Sequence, residues 1–110
     1  MPAKIHGRLG ASALAATTDT TVYTVPASRK ATASINLCNR GGTAATVRLM
    51  LLDGAMGTLA NEDYIEYDVT LPAGGTLERD RITLAAGHVV GARASTANVS
   101  VQVWGVEEDA

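Results

Sequence analysis

From Thr20 to Val106 apolar and polar residues alternate with a period of two, and each alternating run stops at Pro or Gly. That period belongs to a strand with one covered face, because successive side chains point to opposite sides of a sheet. It is clearest in Ala31–Arg40, where Ala31, Ala33, Ile35 and Leu37 share one face and Thr32, Ser34, Asn36 and Cys38 the other. In Ala45–Leu52, Ala45, Val47, Leu49 and Leu51 alternate with Thr46, Arg48 and Met50. Tyr64–Leu71 sets Ile65, Tyr67, Val69 and Leu71 on one face, opposite Tyr64, Glu66, Asp68 and Thr70. No stretch carries apolar residues at helical spacing without a Gly or Pro interrupting it.

The punctuation supplies the turns. Thr20–Val25 ends at Pro26, and Gly41-Gly42 can take the positive φ of a tight hairpin. Asp53–Glu62 is the longest loop. Pro72-Ala73-Gly74-Gly75 leads into Thr76–Arg81 and a short Ile82–Leu84 segment. Ala85-Ala86-Gly87 precedes His88–Ala94, and Ser95–Asn98 precedes Val99–Val106. This spacing predicts an all-β fold, an antiparallel β-sandwich or jelly roll of about seven to eight short strands. Residues 20–110 form the sandwich, and residues 1–19, rich in small residues, read as an N-terminal arm. The competing reading makes Arg8–Ala16 the first strand of the sandwich.

Composition says how such a sandwich must be filled. With no Phe, one Trp and three Tyr, the interior falls to Val, Leu, Ile and Ala, and the branched aliphatics suit a pleated surface. A chain of 110 residues is expected to be one domain, large enough to hold a core without metals or disulfides. Both faces turn apolar at Met50–Leu52, so that strand end is expected to be covered on both sides. A net charge of −2 with interspersed signs gives no footprint for nucleic acid. No apolar run approaches the ~20 residues that span a bilayer, and the first twenty residues lack the apolar core of a signal peptide. The expectation is a soluble domain, not marked for export.

Residues that carry chemistry are scattered. His6 and His88 have no second ligand at metal spacing, and a zinc site needs three or four. The single Cys38 excludes an internal disulfide and reads as a packed thiol, with a link between chains as the alternative. Glu62, Asp63, Glu66 and Asp68 form an acidic cluster, read as a solvated face or subunit rim because calcium loops bunch their ligands around a Gly. No Ser sits in a nucleophile elbow, and neither Gly-Gly pair opens a phosphate loop. Asn98-Val99-Ser100 fits a glycosylation sequon that matters only in a secreted eukaryotic protein. The chain is therefore expected to be no enzyme and to use no cofactor or metal. Glu78-Arg79-Asp80-Arg81 alternates in sign, as an edge strand or an interface does. Trp104 falls out of phase with Val99, Val101 and Val103, so alternation sends it outward, where it anchors a subunit contact or stacks on a sugar; a bulge at Gly105 would turn it in. The contact candidates are Trp104, Met50, Leu52, Cys38, Arg79, Arg81, Arg8 and Leu9.

Residues 20–49, 62–95 and 99–108 resemble a group of small virion proteins of tailed bacteriophages. The shared signatures are the Tyr23-x-Val25-Pro26-Ala27 turn, Asn39-Arg40 at a strand end, the Asp63–Asp68 strand, and Leu71-Pro72-Ala73-Gly74-Gly75. The resemblance covers roughly residues 9–108 and describes a scaffold, with no catalytic or binding residue to carry over. It implies a non-catalytic β-sandwich present in many copies, held on the virion by protein contacts. Within that group the expected role is a decoration or cement protein that associates with itself, a trimer being favoured, and with the major capsid protein. The alternatives are a tail, neck or fibre component, or a glycan-binding module using Trp104, Tyr23, Tyr64 or Tyr67 as a stacking platform. Neither nucleic acid nor membrane is an expected partner.

Overall fold

The computed structural model describes residues 4–110. Eight strands make up the fold: β1 (Lys4–Ala13), β2 (Thr20–Thr24), β3 (Arg29–Asn39), β4 (Ala45–Leu52), β5 (Tyr64–Leu71), β6 (Thr76–Leu84), β7 (Val89–Ala94) and β8 (Val99–Asp109). They pair antiparallel into two four-stranded sheets, sheet A in the order β1-β8-β3-β6 and sheet B in the order β2-β7-β4-β5. The chain changes sheet at every connection except β4 to β5, which is the interleaved order of a double-sheet jelly roll. Single 3-10 turns at Met56–Thr58 and Asn61–Asp63 lie in the β4–β5 loop.

Alternation placed the core correctly on the inner strands. Ile35, Leu37, Val47, Leu49, Val90, Val99, Val101 and Val103 are completely buried between the sheets. Tyr23 is the one aromatic in this cluster, so the interior is aliphatic as composition requires. A second cluster forms on the outer side of sheet B, where Met50, Leu52 and Val89 are covered by Met56, Leu59 and Tyr64. The strand end that read as apolar on both faces is thus covered twice, by sheet A and by the β4–β5 loop.

Four expectations need correction. The segment read as an irregular arm is mostly strand β1, paired with β8 from Lys4↔Glu108 to Ala13↔Ser100. Leu14, just after it, is buried. Small residues hid this strand, because an edge strand needs backbone partners more than apolar side chains. Residues 1–3 of the expected arm lie outside the described residues. Gly41-Gly42 does not close a hairpin, since β3 and β4 belong to different sheets, and neither glycine has positive φ. Gly41 is instead required by space: a Cβ there would meet the Asn98 side chain.

The other two corrections come from bulges. Between Val47↔Val69 and Leu49↔Glu66 the β5 strand carries one extra residue, with Asp68 left-handed at φ 51°. The extra residue flips the alternation, so Ile65 (41% exposed) and Tyr67 (58%) face outward while Val69 and Leu71 face inward. Likewise Thr76–Arg81 and Ile82–Leu84 are one strand, interrupted by a bulge opposite Ala33–Ile35 where Arg81 takes φ 58°. The alternative of a bulge at Gly105 turning Trp104 inward is not seen, since β3 pairs with β8 in unbroken register through it.

Polar pins close the sandwich around its rim. Asn39 is completely buried at the end of β3. Its side-chain amide donates to the carbonyls of Thr43 (2.8 Å), Leu71 (3.0 Å) and Pro72 (3.3 Å), and its carbonyl oxygen accepts from the Gly41 N–H (2.9 Å). One side chain thereby ties the C-terminal ends of β3 and β5 to the turns that follow them. On the β5–β6 side Arg79 pairs with Glu66 across the two sheets. On the β2–β8 side the Tyr23 hydroxyl donates to buried Glu107 at 2.6 Å, with Arg29 Nη1 3.7 Å from the same carboxylate. Burial and that hydrogen bond push the Tyr23 phenol well above its ordinary value.

Candidate functional site

The fold turns two large surfaces outward, one on each sheet, and distributes the contact candidates unequally between them. On sheet A, inner strand β8 presents Ser100, Gln102, Trp104 and Val106 outward, because Val99, Val101 and Val103 are committed to the core. Trp104 is 46% exposed, and its indole N–H donates to Gln102 Oε1 at 2.8 Å. The register sets Arg8 on one side of it and Ser34 on the other. Gln102 and Val106 flank it along β8, and Ala11, Ala13, Ser34 and Ser100 are the small residues of the same face. Cys38, half-buried with a free thiol, lies farther along this face beside Ser100 and Thr76. Trp104, Arg8 and Cys38 therefore share one face.

The other candidates do not join them. Met50 and Leu52 are buried beneath the β4–β5 loop and present no contact surface. Leu9 is the extra residue of a bulge in β1 and packs against the core. Arg79 is engaged with Glu66 as an inter-sheet pin, and Arg81 is exposed on the opposite edge strand. Tyr23 is excluded as a stacking platform, since its ring is buried and its hydroxyl bound.

The outer face of sheet B holds groups that sequence spacing kept apart. Arg48 and Arg93 are direct cross-strand neighbours on β4 and β7. Arg48 donates through Nε to Asp68 Oδ1 (2.7 Å) and through Nη2 to Oδ2 (3.2 Å). This pairing holds the Asp68 carboxyl below its ordinary range and the guanidinium above its own. Arg93 Nη1 lies 3.3 Å from Asp19 Oδ1. The Arg48 guanidinium sits 4.1 Å from the Tyr67 ring centre, and Tyr64 meets Tyr67 edge-on at 4.9 Å. Arg48, Asp68 and Arg93, with Thr17, Thr46, Ala94 and Ser95, line a cleft of about 170 Å³, and Asp19 and Tyr67 stand outside that lining. The acidic cluster of the sequence is dispersed: Asp63 caps the Ala60 N–H at 2.8 Å, Glu66 turns inward to Arg79, and Asp68 turns outward to Arg48.

A wider hollow of about 540 Å³ opens beside Lys30, Thr32, Thr83 and His88. The His88 ring there is engaged in its turn, Nδ1 accepting from the Ala85 N–H at 3.1 Å. Among the described residues no three His, Cys, Asp or Glu side chains converge on a metal position, and no helix is long and apolar enough to cross a membrane.

No protein-family model and no curated protein sequence matches the chain. Among solved structures, it is similar to a pentameric capsid protein isolated from metagenomic phage sequences, at 22% identity and a TM-score of 0.31. The likeness covers 94% of this chain and 62% of that one, so the chain spans less than two thirds of that protein's length.

Proposed function

We propose that this protein is a non-enzymatic structural component of a bacteriophage virion, present in many copies and bound to the outside of the particle as a decoration or cement protein. One observation carries the reading: the motifs that resemble small virion proteins are the joints of the sandwich. Asn39 and the Leu71–Gly75 turn form one joint, and Tyr23 with Glu107 forms another. Conserving such joints would preserve a shape, which is what a protein working through its surface needs.

The surface best suited to contact is the outer face of sheet A. An exposed Trp buries apolar area at little conformational cost, and Trp is enriched where interfaces concentrate their energy. Self-association is expected through Trp104, with a trimer as the favoured state and the major capsid protein as the second partner. The test is mass measurement of the full chain at micromolar concentration, beside immunogold labelling of particles from the phage source. A Trp104→Ser variant is expected to shift the mass toward the monomer while melting at the wild-type temperature. A wild-type chain that is monomeric and absent from particles overturns the proposal.

A further inference from the structure

The cleft on the outer face of sheet B is built from parts that are costly to place together. Like charges directly opposite on neighbouring strands repel, yet Arg48 and Arg93 are such a pair. Two carboxylates hold them from the flanks, Asp68 on β5 and Asp19 ahead of β2. Two of the surrounding residues adopt left-handed backbone without being glycine, Thr17 at φ 52° and Asp68 at φ 51°. A β-branched Thr rarely takes that conformation, and such outliers gather at ligand sites. Thr17 is fixed there by its N–H donating to the Ala94 carbonyl at 2.7 Å.

These parts say what fits. Two arginines and two aspartates balance, so the cleft is no trap for a free oxyanion. It offers fixed N–H donors, carboxylate acceptors and the hydroxyls of Thr17, Thr46 and Ser95, which do both. Its volume of about 170 Å³ is below the ~300–1,000 Å³ of pockets for drug-sized ligands, and suits a single small ring. Beside it Tyr67 keeps an exposed aromatic surface, its ring braced by Arg48 and Tyr64. A ring bearing hydroxyls that donate and accept, with C–H faces for an aromatic, is a sugar. We propose that this cleft is a saccharide subsite taking one pyranose unit, with Arg48, Arg93 and Asp68 bonding its hydroxyls and Tyr67 flanking it. The site does not depend on the virion reading, because it needs only the isolated chain.

An NMR titration of the isotopically labelled full chain tests it, with glucose, galactose, N-acetylglucosamine and glucuronate as probes and inorganic phosphate and acetate as controls. At least one sugar is expected to shift the Thr46, Arg93 and Ser95 amides and the arginine Nε–H signals, with a dissociation constant of roughly millimolar order. Arg93→Gln and Tyr67→Ser are each expected to weaken that sugar about tenfold or more. Both side chains are partly exposed, and an exposed ion pair contributes little to stability, so the variants should fold; their spectra check this. The proposal is overturned if no sugar shifts these signals at about 50 mM. It is equally overturned if phosphate and acetate shift them as strongly as every sugar, leaving an anion site only, or if both variants bind like the wild type.

Discussion

Asn39→Ala is the substitution that most directly probes how the two sheets are joined. The wild-type amide satisfies three carbonyls and one N–H at 2.8–3.3 Å while being completely buried. Truncation strands them. The bonds to Thr43, Pro72 and Gly41 are only partly buried, so the cost falls on the Leu71 carbonyl, whose bond is buried. A buried unsatisfied group costs about 1–3 kcal/mol. For a domain of this size one kcal/mol moves the midpoint by about 4 °C, so a fall of roughly 4–12 °C is expected by calorimetry or far-ultraviolet dichroism. Asn39→Asp sharpens the test, because it replaces two N–H donors with an oxygen aimed at carbonyl oxygens. That variant should be tolerable only with its carboxyl protonated, so its deficit relative to wild type should grow from about pH 4 to about pH 8. An Asn39→Ala protein melting within about 3 °C of wild type would refute the inter-sheet role.

Tyr23→Phe should cost about 2 kcal/mol, the worth of a hydrogen bond to a charged group, because Glu107 loses its 2.6 Å donor inside the sandwich; urea titration measures it. The raised Tyr23 phenol favours the folded state fully below the unfolded value of about 10, and that contribution is lost as pH rises beyond it. Alkaline melting curves of wild type should therefore fall more steeply above about pH 10 than those of Tyr23→Phe. Gly105→Ala should destabilise by roughly 1–3 kcal/mol or more, since its Cβ would intrude on the Thr32 carbonyl in the central β3–β8 pairing; the thermal midpoint reports it. Arg48→Met should leave the midpoint nearly unchanged at neutral pH, because the Asp68 partner is about half exposed; a fall of many degrees would show that the cleft supports the fold.

The strands were legible because their signal is local. Seven of the eight begin and end within a few residues of the predicted bounds, since alternation and Pro or Gly stops are written into adjacent residues. The Pro26 and Pro72 turns were legible for the same reason: both close with an N–H from the third residue onward, Arg29 to Pro26 and Gly75 to Pro72. Strand β1 was legible only as the competing reading of Arg8–Ala16, because its partner β8 lies about a hundred residues away and half of its residues are Gly, Ala or Ser. The hairpin expected at Gly41-Gly42 failed because a glycine pair permits a tight turn without requiring one. There the space beside Asn98 and the amide of Asn39 decide the path.

The outer face of sheet A and the cleft differ in legibility for one physical reason, the bulge. Trp104 was placed correctly because β8 runs without interruption against β3, so parity counted from Val99 holds as far as Asp109. On β5 the same counting fails at Asp68, where one inserted residue exchanges the faces of Ile65, Glu66 and Tyr67, and a second irregularity opposite Leu49–Met50 returns Tyr64 to the outer side. Nothing in Tyr64–Leu71 announces that exchange, since the left-handed residue is an aspartate and not a glycine. Without the bulge Tyr67 would point into the core, and Asp68 would lie on the same face as Glu66. With it, Tyr67 and Asp68 both reach Arg48, and Glu66 is released to pin Arg79 across the sandwich. The pairing of Arg48 with Arg93 is further from view, because it needs the β4–β7 register, which joins residues 45 positions apart. A bulged aspartate beside a pair of like charges is hard to explain as scaffold alone, and that is why the cleft, more than the Trp104 face, is where the chain departs from pure packing.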